Sequence, residues 1–130
     1  MNHHRISFAT IFDLGQGLYS IVVDEAYEID LCHVDELHSY MDFLTKGKEF
    51  VILVHRLYSY SYSTAAKAVI ADMKNLCAIA MVVYDEISLE LAEMMKSVND
   101  KLELSFDIFS DEKNAESWLR QELDKSSALT

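Results

Sequence analysis

The chain reads as a single α/β domain. A five-stranded mixed sheet with four helices is expected, in the order β-β-α-β-α-β-α-β-α. Three observations carry this. Phe50 to Val54 and Ala78 to Val83 are apolar at every position, which suits parallel strands covered on both faces. A segment of helical spacing lies between them, so the connection is a right-handed βαβ crossover. Near the start, two strand-like runs flank Gly15-Gln16-Gly17, the pattern of a β-hairpin.

In order, Phe8 to Leu14 alternates as a strand, glycines supply the positive φ angles of the turn, and Leu18 to Val23 resumes. Asp24 to Ile29 is an acidic connection and Asp30 is a helix cap. Val34, Leu37, Met41 and Leu44 then share one helical face, closed at Lys46-Gly47-Lys48 with the glycine left-handed. After Phe50 to Val54, a helical pattern begins at Ala65, with Ala66, Val69, Ile70, Met73 and Leu76 as its stripe. A third stripe follows Ala78 to Val83: Ile87, Leu91, Met94, Met95 and Val98, capped by Asp85 or Ser88. Leu102, Leu104, Phe106 and Ile108 alternate with polar residues, which places that strand at an edge or with one face wet. Ser110-Asp111-Glu112 opens the last helix with acid at its positive end, and Ala115, Trp118, Leu119 and Leu123 point inward. The domain is expected to span 1–125, with a frayed tail at 126–130.

The 130 residues fit one domain, and a 51% hydrophobic composition supplies a core. No apolar run is long enough to span a membrane, and the N-terminus lacks the apolar segment of a signal peptide, so a cytoplasmic protein is expected. A formal net charge of −11 argues against nucleic acid or anionic membrane as a partner and favours solubility or a basic partner. Cys32 and Cys77 read as buried thiols in a reducing compartment. Cys32-His33 and His38 lack the spacing of a zinc site, and His3-His4 reads as a mobile terminus. Gly15-Gln16-Gly17 precedes a strand rather than a helix, so it is not a phosphate-binding loop. Neither metal nor cofactor is expected.

The element order and the ending Phe109-Ser110-Asp111-Glu112-Lys113-Asn114-Ala115-Glu116-Ser117-Trp118-Leu119 resemble the STAS/SpoIIAA-like superfamily, the anti-anti-sigma-factor fold. The shared closing pattern is F-(S/T)-D-x-x-x-A-x-x-W-L. The resemblance implies a non-enzymatic regulatory domain that binds a protein. Its relation to CRAL-TRIO domains implies an alternative, a carrier of a small apolar ligand or lipid. Family members carry a phosphorylated serine at the start of the second helix, in an Asp-x-Ser-Gly type motif. Here His55 follows Val54 and no glycine follows a serine, so the chain departs from that motif. Ser59, Ser61 and Ser63 are the candidates for phosphorylation or for capping the helix.

The loop from His55 to Thr64 is the candidate partner surface, because ligands and partners of open α/β sheets dock at strand C-termini. Tyr58, Tyr60 and Tyr62 recur with period two, which places three rings on one side of an extended segment. His55 and Arg56 join them. Ser59 beside His55 is a weak nucleophile–base pair with no third orienting group, and no catalytic residue is assigned. The tyrosines and the open sheet edges also point to a homodimer.

Overall fold

The computed structural model describes residues 2–25, 28–55, 61–100 and 104–128. Its elements are β1 (Asn2–Arg5), β2 (Ala9–Asp13), β3 (Leu18–Val23), β4 (Glu28–Ile29), α1 (Leu31–Thr45), β5 (Phe50–His55), β6 (Ser61–Tyr62), α2 (Thr64–Val69), β7 (Leu76–Val82), α3 (Glu86–Asp100), β8 (Ser105–Phe109) and α4 (Glu112–Ala128). The main sheet is six-stranded in the order β1-β2-β3-β5-β7-β8. β1–β2 and β2–β3 are antiparallel, and β3–β5, β5–β7 and β7–β8 are parallel. The expected hairpin, the central parallel pair and the edge position of the last strand are all present.

Period-two alternation sorts the central strands between two cores. Phe50 and Ile52 of β5, with Ile79, Met81 and Val83 at β7, join α1, α2 and α3 in one core. Val51 and Leu53, with Ala78, Ala80 and Val82, face α4 and pack on Ala115 and Leu119. The two alanines of β7 are small, which leaves room for α4 to lie across β5 and β7. Trp118 tilts against Phe109, with ring centroids 5.5 Å apart, and closes one side of this layer.

Four features depart from the sequence-based expectation. Asn2–Arg5 is a sixth strand, not a mobile terminus. It pairs with β2 from Asn2↔Asp13 to Arg5↔Thr10, and the Tyr40 hydroxyl meets His4 Nδ1 at 3.0 Å. The acidic connection and the end of the tyrosine–serine loop form a second, two-stranded parallel pair, β4 with β6. Helix α2 stops at Val69, and Leu76 belongs to β7 rather than to the helical stripe; Asn75, at φ 70°, turns the chain between them. Lys46 is itself the left-handed cap of α1, at φ 54°, and Gly47 follows at φ 80°. Among side chains, Met94 is exposed instead of buried. Cys32 is exposed too, because the second position of α1 faces away from its Val34–Leu37–Met41 stripe.

The starts of α1 and α2 are tied together. Asp30 caps α1, its Oδ1 accepting from the Leu31 N–H at 2.8 Å. The same oxygen accepts from the Ser63 hydroxyl at 3.0 Å. Ser63 Oγ in turn caps α2 by accepting from the Ala66 N–H at 3.1 Å. Both helices need such partners, because their first backbone N–H groups have none inside the helix. The backbone N–H of Leu31 first, then the Ser63 hydroxyl, hold the Asp30 carboxyl below its usual range. Arg5 does the same for Asp24 and Ser7 for Glu36.

These three carboxylates take up protons less readily when folded than when unfolded. Their stabilisation is therefore complete above the ordinary carboxylate range, about pH 4, and is lost as pH falls through the lower folded values. Ser63→Ala removes the α2 cap and one donor to Asp30. It should cost about 1 kcal/mol in chemical denaturation and bring the Asp30 titration, followed by carboxyl NMR, back toward its usual range.

Candidate functional site

Alternation along β5 places His55 on the same face as Val51 and Leu53, the face under α4. The same parity in β7 carries Tyr84 to that side, two residues beyond Val82. On α4, Glu112 lies one turn before Ala115, on the inward stripe. The strand ends and the helix start thus bring three polar residues together at the C-terminal pole of the parallel sheet.

His55 is only 9% exposed. Its Nδ1 lies 3.2 Å from the Tyr84 hydroxyl, and its Nε2 lies 3.4 Å from Glu112 Oε1. A carboxylate only accepts, so with a neutral ring the proton sits on Nε2 and Nδ1 accepts from the tyrosine hydroxyl. A buried imidazole thus orients a ring that is itself 53% exposed. Burial of the hydroxyl end, followed by the charges of Glu112 and Asp111, raises the Tyr84 phenol above its ordinary value. The phenol is therefore neutral and a donor at physiological pH. The rim around it is acidic: Asp85, Glu86, Asp111 and Glu112 are exposed, with Asp111 Oδ1 accepting from the Asn114 N–H at 2.8 Å at the head of α4.

The residues singled out from the sequence divide into three groups. Arg56, Tyr58, Ser59 and Tyr60 lie outside the described residues. Tyr62 is half-buried and packs against the core on the α1–α3 side, while Ser61 is exposed on β6. Ser63 is the cap of α2. His55 faces α4, away from the core on which Tyr62 packs. Tyr84 and Glu112 were not singled out in the sequence. The signal that gathers them is the rule that sites form at strand C-termini, applied to β7 and β8 as well as β5. Among the described residues, no group of three His, Cys, Asp or Glu side chains converges to hold a metal ion. No helix among them is long and apolar enough to cross a membrane.

Residues 12–123 match the model of a protein family described as a domain of unknown function (DUF7793). The chain belongs to that family. No curated protein matches its sequence. Among solved structures, it is similar to an uncharacterized protein from the DUF3478 family with a SpoIIAA-like fold, from Shewanella loihica PV-4. The two agree with a TM-score of 0.56 over 91% of this chain and 90% of that chain, at 15% sequence identity. At that identity the likeness concerns the fold, and the fold of this DUF7793 member is SpoIIAA-like. The resemblance read from the C-terminal motif holds at this level, with six strands in the main sheet where five were expected.

The electrostatic coupling at the pole is directly measurable. Negative neighbours disfavour the phenolate, so removing one eases ionisation. In Glu112→Gln, Tyr84 should ionise at a lower pH than in the parent protein, as followed by NMR of ring-labelled tyrosine. An unchanged titration would show that the carboxylate does not act on the ring.

Proposed function

We propose that the domain is a non-enzymatic regulatory module of the anti-anti-sigma type, binding a protein partner at the C-terminal pole of its sheet. Tyr84 carries this reading: an exposed ring whose hydroxyl is fixed from beneath by buried His55. An aromatic side chain already held in place loses little freedom on binding and offers a large contact area. The carboxylates around it favour a basic segment on the partner, by steering and by charge complementarity. Glu112, His55 and the Tyr84 hydroxyl form a carboxylate–imidazole–phenol chain that fixes the exposed ring, and the raised phenol keeps its proton at physiological pH, which favours a contact role for the ring. The SpoIIAA-like fold agrees with this class of role, and the bacterial cytoplasm is its setting. If a serine is phosphorylated, exposed Ser61 is a better candidate than Ser63, whose hydroxyl donates to Asp30. A phosphoryl group at Ser63 would meet that carboxylate.

The alternative, a carrier of an apolar ligand, has one supporting observation. An apolar cavity of about 50 Å³ lies between the sheet and the α1–α3 layer, lined by Phe8, Ile29, Ile70, Met81 and Phe106 among others. Ligand sites usually enclose ~300–1,000 Å³, so this space suits a packing defect better than a lipid. The interaction reading is preferred.

Self-association belongs to the same reading. β1 ends the sheet order and offers an outer edge for strand pairing. Beside it, Phe43 is 71% exposed and stacks through Tyr40 toward His4.

A photo-crosslinking amino acid at position 84 should yield a discrete protein adduct in cells. The same group at exposed Gln121, on the outer side of α4, should not. Equal adducts from both positions, or none from 84, would remove the pole as the partner surface. Sedimentation at micromolar concentration should give a dimer, and Phe43→Ser should shift it toward the 14.9 kDa monomer. A parent protein that sediments only as monomer would end the dimer reading.

A further inference from the structure

The opposite pole holds the N-terminal ends of β3, β5 and β7, and it is built differently. A cleft of about 760 Å³ opens there, lined by Asp13, Gly15, Gly17, Tyr19, Lys46 and Lys48 among others. Its size falls in the range of small-molecule sites, ~300–1,000 Å³. Every described residue with positive φ lies in its lining: Gly15, Gln16, Gly17, Lys46, Gly47 and Asn75. At Gly17 a side chain would meet Leu123 Cδ2 at 3.1 Å and the Glu49 carbonyl at 3.2 Å, on top of an unfavourable φ of 85°. Arg120 of α4 fastens this turn by donating to the Gly15 carbonyl at 3.2 Å. Left-handed non-glycine residues such as Gln16 and Lys46 are strained, and such strain concentrates at functional sites.

A second observation points to a ligand. Tyr19 is 7% exposed and stands edge-on to Phe50, yet among the described residues its hydroxyl has no hydrogen-bond partner. Tyr19 packs in the core and also belongs to the cleft wall, so its hydroxyl is open to a ligand there. Burial and the nearby Asp13 charge raise its phenol above the ordinary value, so it is a donor at neutral pH. Lys46 and Lys48 are exposed on the rim and form no ion pair among the described residues. The two carboxylates of the lining are already engaged. Asp13 Oδ1 accepts from the Gly15 N–H at 2.9 Å, and Glu49 Oε2 accepts from Cys77 Sγ at 3.2 Å.

We propose that this cleft binds a small oxyanion-bearing molecule, its carboxylate or phosphate held by Lys46 and Lys48 and a second polar atom by the Tyr19 hydroxyl. Two ammonium groups that only donate and a phenol that can donate favour an acceptor-rich ligand. The net charge of −11 opposes an anion at long range, but salt screens distant charges beyond about 8 Å, and within the lining the two exposed lysines offset the carboxylates of Asp13 and Glu49. The site is independent of the protein-binding pole and stands whether or not that reading holds.

The test is an amide-shift titration of the isotope-labelled protein with inorganic phosphate, and separately with acetate, at constant ionic strength. Saturable shifts confined to Gly15, Gly17, Tyr19 and Gly47 are expected with at least one probe. A response to both marks a shared oxyanion site, and a response to phosphate alone marks a dianion site. Lys46→Ala with Lys48→Ala should weaken that binding about tenfold or more. Tyr19→Phe should weaken it severalfold while melting at the same or a higher temperature, because its hydroxyl gives up no hydrogen bond to the described residues. Absence of saturable shifts at these amides with either probe overturns the proposal. So does a double lysine variant, still folded, that binds phosphate and acetate as the parent does.

Discussion

Strands β5 and β7 are buried on both faces, and from that constraint most of the molecule's arrangement follows. A strand covered on two sides has no neutral face, so every residue belongs either to the α1–α3 core or to the layer under α4. Phe50 and Ile52 fall on one side, Val51 and Leu53 on the other. The same count assigns His55 and Tyr84 at the strand ends. Neither could change sides without a register slip that would also put Leu53 and Val82 in the wrong layer. The chemistry of the C-terminal pole is thus held by the core's own alternation.

The two poles divide the molecule's polar features between them. At the C-terminal end, a buried imidazole links a carboxylate to an exposed phenol, and the surroundings are acidic. At the N-terminal end, left-handed turns open a cleft where Lys46 and Lys48 form no ion pair among the described residues. A chain with a net charge of −11 has in this way kept two exposed lysines at this recess, and the sheet separates them from the acidic rim.

Much of this was legible from the residues. The unbroken apolar runs at Phe50 to Val54 and Ala78 to Val83 marked the parallel pair, Asp30 and Asp111 marked helix starts, and Trp118-Leu119 marked the inner face of α4. What was not legible depended on contacts distant in sequence. Asn2-His3-His4-Arg5 carries no strand signal of its own, and it is a strand because β2 offers an edge and Tyr40 meets His4. The periodicity after Ser63 runs on to Leu76, because Met73 and Leu76 pack on the same core from a turn and a strand. The candidate site was half visible. His55 was picked out by its place at a strand end. Glu112 read as a helix-start acid, and Tyr84 carried no signal of its own, until the sheet order brought the ends of β5 and β7 beside the head of α4.

The alanines of β7 have a mechanical consequence. Ala78 and Ala80 form the floor on which α4 rests, and Glu112 sits at the end of that helix. The helix is therefore a rigid arm whose height is set by two methyl groups. A bulkier residue at either position would lift the arm and draw the carboxylate away from His55, loosening the grip on Tyr84 with no change to any residue of the pole. In this fold, side-chain volume in the middle of the sheet acts as an adjusting screw for geometry at its end.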